Sequence, residues 1–281
     1  MGNDMDLKAL QDTPPWEWPT DVGETFRDVL IDRQANKTDR LIAAGLAGDL
    51  TVINDDLADA LTAIIGSPDE PQQLRARAAI ALGPVLEQSE IDGFEDPDDV
   101  PISQHTFRSI QGLLQRLYFD NSVPKEVRRR ALEASVRAPQ SWHENAIKAA
   151  YTCGDKEWML TAVFSMRWVR GLDDQIMESL ESAEPEIHYE AVEAAGNWGL
   201  APAWPHILAL VDDASTPKPL LLAAIGAGAS IRPAEAASVL ADLADSEDEE
   251  IAEAAVEAIG MAEAISDEED DEEEEEGEWL N

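Results

Sequence analysis

The chain has 281 residues, 44% of them hydrophobic but only 6% aromatic, enough for a sizeable core built mainly from Ala, Leu, Ile and Val. Its formal charge of −39, from 59 acidic against 20 basic residues, repels nucleic-acid phosphates and anionic membranes and favours basic partners. A single cysteine, Cys153, excludes an internal disulfide and fits a reducing, cytoplasmic setting. The surplus of carboxylates over a handful of lysines also suits a saline cytoplasm.

Residues 1–20 lack both the basic and the apolar region of a secretory signal and read as an N-terminal extension. From residue 21 the hydrophobic pattern follows a helical period, with almost no alternating, β-branched stretch to compete with it. GETFRDVLID (23–32) and DRLIAAGLAG (39–48) read as a degenerate first pair of helices. LADALTAII (57–65) and LRARAAIALG (74–83) form a cleaner pair, followed by a polar, Pro-punctuated loop at 88–105. FRSIQGLLQRLYF (107–119) pairs with EVRRRALEAS (126–135), and ENAIKAAY (144–151) with EWMLTAVFSMR (157–167). Three more pairs end in PEIHYEAVEAAG (185–196), PLLLAAIGAGAS (219–230) and EEIAEAAVEAIG (249–260). Gly196, Gly228 and Gly260 recur at intervals of 32, and Gly83, Ser135 and Arg167 fill the same slot upstream. The unit is therefore helix, acidic turn, helix, repeated six or seven times over 21–265. Its expected fold is an all-α solenoid. The recurrent glycines are expected to provide left-handed turns between units.

DEPQQLRARAAIALG (69–83) resembles the second-helix signature of HEAT-like repeats, especially the short type found in phycobilisome lyase subunits. The resemblance implies a curved stack of helical hairpins with a long concave face suited to proteins or peptides. It also implies that Asp69 and Arg75 bond between neighbouring repeats. Later units depart from that signature and carry Tyr189 or Ala252 near the arginine position.

Candidate chemistry is sparse. In one HEAT-like family, deoxyhypusine hydroxylase, several His-Glu pairs hold two irons. Here only His143-Glu144 matches, and His188-Tyr189-Glu190 is merely similar. No catalytic residue, metal ligand or cofactor site is assigned. Two clusters stand out. One is a basic island containing Arg108, Arg116, Lys125, Arg128, Arg129, Arg130 and Arg137. The other is a group of tryptophans near helix ends, Trp142, Trp198 and Trp204, placed like the aromatic anchors of an interface. Asp267 to Glu278 contains eleven carboxylates and no base, so 266–281 is expected to be a disordered acidic tail. Its terminal Trp279-Leu280 pair reads as a short docking motif. The expected function is a non-enzymatic scaffold that binds a protein partner, a basic one being favoured, through its concave face, without nucleic acid or membrane. The site residues of that reading are Trp142, Trp198, Trp204, Arg128, Arg129, Arg130, Trp279 and Leu280. The alternatives are an enzyme or enzyme subunit, lyase-like or metal-dependent through His143 and His188, and an acidic escort of a basic protein.

Overall fold

The computed structural model describes residues 6–96 and 100–279, with side chains as far as Ile265. No strand occurs among them. The chain divides into two compact units, Met1–His143 and Glu144–Asn281. The first contains α1 (Leu7–Gln11), then α2 (Val22–Ile31) with α3 (Lys37–Leu46), and α4 (Asp55–Gly66) with α5 (Gln72–Ala81). An extra α6 (Gly83–Asp92) precedes α7 (Gln104–Phe119) and α8 (Lys125–Ser135). The second unit begins within α9 (His143–Thr152) and continues with α10 (Lys156–Ser165), α11 (Asp173–Leu180) and α12 (Pro185–Asn197). It ends with α13 (Trp204–Asp212), α14 (Lys218–Ile231), α15 (Pro233–Ala244) and α16 (Glu249–Trp279).

Like packs on like. In the first unit α2, α4 and α7 form one layer, and α3, α5 and α8 the other. In the second, α10, α12, α14 and α16 pack in series. The fold class is the all-α solenoid that the repeats imply. The acidic turns have a local cause. Asp49, Asp120 and Asp213 accept hydrogen bonds from the backbone N–H two residues on, at 2.9, 2.8 and 2.8 Å, and from the hydroxyls of Thr51, Ser122 and Ser215. Each carboxylate thus holds its own turn through hydrogen bonds local in sequence.

The last carbonyls of a helix have no partner within it. In the first unit an arginine near the start of each second helix supplies one. Arg40 Nη2 donates to Leu30 O at 2.7 Å, Arg75 Nε to Ile65 O at 2.9 Å, and Arg128 Nε to Tyr118 O at 2.8 Å. Each is the fourth residue after the one preceding its helix, namely Asn36, Pro71 and Pro124. The cation also meets the negative end of the first helix dipole. This corrects the expectation for Asp69 and Arg75. Asp69 is exposed, Arg75 acts within its own hairpin, and the carboxylate bonded between repeats is Glu70. Glu70 takes Arg40 of the preceding hairpin at 2.7 and 3.1 Å, with both side chains buried. That hydrogen bond holds the Glu70 carboxyl below the usual glutamate range.

The glycine expectation also changes. Positive φ occurs at Gly93, Gly154, Gly171 and Gly199, while Gly196 lies inside α12. Its role is close approach: a Cβ there would stand 2.7 Å from the Cα and Cβ of Ala227 on α14. At Gly48 a Cβ would stand 1.9 Å from Ala81 O. Repeat lengths are uneven too. The residues preceding α8, α10, α12, α14 and α16 are 124, 155, 184, 217 and 248, so steps run from 29 to 33 rather than a constant 32. The long loop starts later than expected, because 88–92 complete α6, where Val85, Leu86 and Ser89 are buried. The N-terminal extension is not loose either. Leu7 and Leu10 are buried, α1 packs on α3, and the Trp18 indole donates to Thr13 O at 2.9 Å while meeting Phe26 edge-on.

Two substitutions test this packing. Gly48→Ala should lower stability by about 1–3 kcal/mol, because the backbone it meets cannot yield as a side chain does. Arg40→Met should cost about 3–5 kcal/mol by leaving Glu70 buried without its main partner, and adding Glu70→Met should recover most of the loss. Denaturant midpoints at neutral pH measure both. Equal stability of the three Arg40 and Glu70 forms would contradict the latch.

Candidate functional site

The basic island is largely folded into its own unit. Arg129 is only 4% exposed and bonds Glu126 at 3.0 Å. Arg130 bridges Glu126 and Glu133 at 2.9 and 2.6 Å, and Arg137 meets Glu87 at 2.7 Å. Arg128 closes the hairpin on Tyr118 O and lies 5.9 Å above the Tyr118 ring. Trp142, half-buried, sits 5.3 Å from Tyr118 and 5.4 Å from Phe119, and its indole donates to Gln140 Oε1 at 2.7 Å. Phe119 leaves this cluster 57% exposed, an aromatic edge that helical periodicity alone did not single out.

The histidines separate by role. His143 is fully buried. Its Nδ1 accepts from Gln140 N at 2.8 Å, which leaves Nε2–H to donate to Ser135 Oγ at 3.0 Å. The ring therefore ties the turn before α9 to the end of α8, and burial pushes the imidazole down to about 4. His188, in the second unit, meets His206 with 2.7 Å between their Nε2 atoms, so one ring donates and the other accepts. Burial, then the neighbouring His206, lowers the His188 pKa. Glu181 stands 3.7 Å from His206 Nδ1. Among the described residues no group of three or more His, Cys, Asp or Glu is arranged to hold a metal ion. Nor is any described helix long and apolar enough to cross a membrane. Cys153 is exposed, with Sγ 3.2 Å from Ala150 O.

The second unit carries a different surface on its second helices. On α12, Glu186, Tyr189, Glu190, Glu193 and Asn197 follow helical spacing along one face. The corresponding positions of α14 hold Pro219, Leu222, Ala223, Gly226 and Ser230. Those of α16 include Glu250, Glu253 and Glu257, all exposed. Arg167, just beyond α10, lies 5.6 Å from the Phe164 ring and 5.9 Å from the Tyr189 ring. Its guanidinium is held by Glu190 and, at 3.1 Å, by Glu193. Asn197 Nδ2 donates to Arg167 O at 2.6 Å. Between α12 and α14 lies a cavity of about 190 Å³ lined by Glu193, Asn197, Leu222, Gly226 and Ser230 among others.

Of the remaining tryptophans named from sequence, Trp198 is half-buried. Its indole donates to Met166 O at 2.7 Å, and Arg170 covers its ring at 4.4 Å. Trp204 packs on the core formed by Ile225, Ala229, Leu240 and Ala258, and a Cβ added at Gly228 would meet its ring at 3.7 Å. Trp279 closes α16, and Leu280 lies outside the described residues. The α12–α14 face was missed in sequence because its residues are ordinary singly and acquire meaning only across helices.

No family model matches the chain, and no curated protein matches it. Solved structures similar to it include an engineered protein, 18% identical over 74% of this chain and 96% of that one, with a TM-score of 0.44. Human deoxyhypusine hydroxylase in complex with glycerol is 15% identical over 92% of this chain and 88% of its own, with a TM-score of 0.40. A designed armadillo repeat protein in complex with the peptide (KR)4 is 20% identical over 71% and 98%, also at 0.40.

His143 predicts a pH dependence of stability. Its folded pKa of about 4 lies below the usual 6.5, so protons bind the unfolded chain first. The stabilisation is complete above pH 6.5 and drains away as pH falls toward 4. About 3 kcal/mol is at stake over that interval. In His143→Asn the midpoint at neutral pH should drop, while the slope between pH 6.5 and 4 flattens relative to the parent. Parallel slopes in the two proteins would contradict a neutral, buried His143.

Proposed function

We propose that the chain is a non-enzymatic HEAT-like scaffold that binds a basic protein partner along the second-helix face of its second unit. One observation carries the reading. The second unit holds 34 acidic and six basic residues, against 25 and 14 in the first. All six bases already have partners. Lys148 meets Glu144, Lys156 meets Glu184, and Arg167 meets Glu190 and Glu193. Lys218 meets Asp248 and Glu250, Arg232 approaches Glu235, and Arg170 covers Trp198. Six bases cannot neutralise 34 carboxylates, and a basic segment would relieve their mutual repulsion.

The acidic segment 266–281 extends the same field. Residues 267–278 include no apolar side chain to bury, and like charges along a helix repel one another. In this reading the segment melts when unpartnered and orders against a basic surface.

Two expectations follow for the full chain and for a version ending at Ile265. Polylysine should bind the full chain more tightly, and its affinity should fall more steeply with salt than for the shortened one. Thermal midpoints of the two should agree within a few degrees. Titration at several ionic strengths, with melting curves on the same samples, makes the comparison. Salt-independent or absent polylysine binding would overturn the basic-partner reading, and a large loss of stability would show that the segment packs on the fold.

A further inference from the structure

Gly226 has no packing reason to be glycine. It sits in the middle of α14, is exposed, and a Cβ added there would meet nothing within 4 Å. Glycine in a helix interior costs about 1 kcal/mol relative to alanine. Gly196, inside α12, answers that cost with close helix approach, whereas Gly226 does not. It instead floors the cavity of about 190 Å³ between α12 and α14.

Resting on the proposed function above, we infer that this cavity is a subsite for one arginine or lysine side chain of an extended basic segment lying across α12 and α14. Bare backbone at Gly226 lets the visiting chain approach as no other residue would. Leu222, Ala223 and Ala227 offer apolar surface to the methylene stem, and Glu193 and Ser230 offer oxygens to its charged end. Glu193 already shows this chemistry. It takes Arg167 Nη1 on one oxygen at 3.1 Å, with the same guanidinium lying near the Phe164 and Tyr189 rings. The face thus holds one cation of its own beside a space that fits a second. Charge argues against the other occupants: the chain's own 266–281 is acidic and would be repelled by Glu193, Glu253 and Glu257.

The test uses the full chain and an acetylated, amidated peptide alternating arginine with serine, titrated at low salt. Glu193→Gln should weaken binding about tenfold, the scale of one hydrogen bond to a charged group. Gly226→Ala should raise the thermal midpoint yet weaken the peptide severalfold, and Gly226→Leu should weaken it further. Asp242→Asn, on exposed α15, should change binding less than twofold. A purely structural Gly226 would give the rise in stability without the loss of binding, and that result overturns the subsite. Equal weakening by Glu193→Gln and Asp242→Asn also overturns it, leaving a diffuse acidic field and the basic-partner reading intact. No binding of the peptide to the unaltered chain would sink both.

Discussion

The hydrogen bond from an arginine to the end of the preceding helix is the contact on which the first unit depends. Arg40, Arg75 and Arg128 each satisfy a last-turn carbonyl, neutralise a helix dipole and fix the angle at which a hairpin closes. Arg40 also reaches Glu70 of the next hairpin, so one side chain ties two repeats together. The corresponding residues of the second unit are Met159, His188, Leu221 and Ala252. None can make that bond to a carbonyl with a full positive charge at neutral pH. Other devices take its place, such as Thr216 Oγ1 donating to Leu210 O at 2.8 Å in the α13–α14 turn.

The division of charge follows from that difference. In the first unit many bases serve the fold, and its carboxylates are partly neutralised within it. The second unit is held by Ala- and Gly-mediated contact between helices, with Gly196 against Ala227 as its tightest example. Its six bases leave most of the formal charge of its 34 carboxylates unneutralised. A formal charge of 6 against 34 over that unit favours expansion, which salt screens and a bound polycation would relieve. Binding and folding are then linked: whatever neutralises this face also stabilises the unit beneath it.

Much of the fold was legible because helical period, turn residues and internal repetition agree with one another. The pairing of 23–32 with 39–48 and the run of hairpins through 260 match the observed helices. What stayed hidden depended on register. Reading glycines at a fixed interval of 32 misaligned Ser135 and Gly228 by one residue, since hairpins differ in length. One residue is about 100° around a helix, enough to move a side chain from one face to the next. The tryptophans and the arginine run were visible as composition, but whether each faces a core or a surface is decided by neighbours distant in sequence. Arg129 went inside and Phe119 stayed out. The α12–α14 cavity left one trace in the sequence, a glycine in mid-helix within GAGAS, and only the open space above it separates that glycine from a packing device.

A basic segment lying on the second-helix face of the second unit would shield the amides beneath it. Amide hydrogen exchange of the full chain, with and without the arginine–serine peptide at low salt, measures this most directly. Added protection is expected in α12 and α14, together with the start of α16, with little change in α3, α5 and α8. Protection centred on the first unit, or spread evenly over every acidic turn, would contradict it.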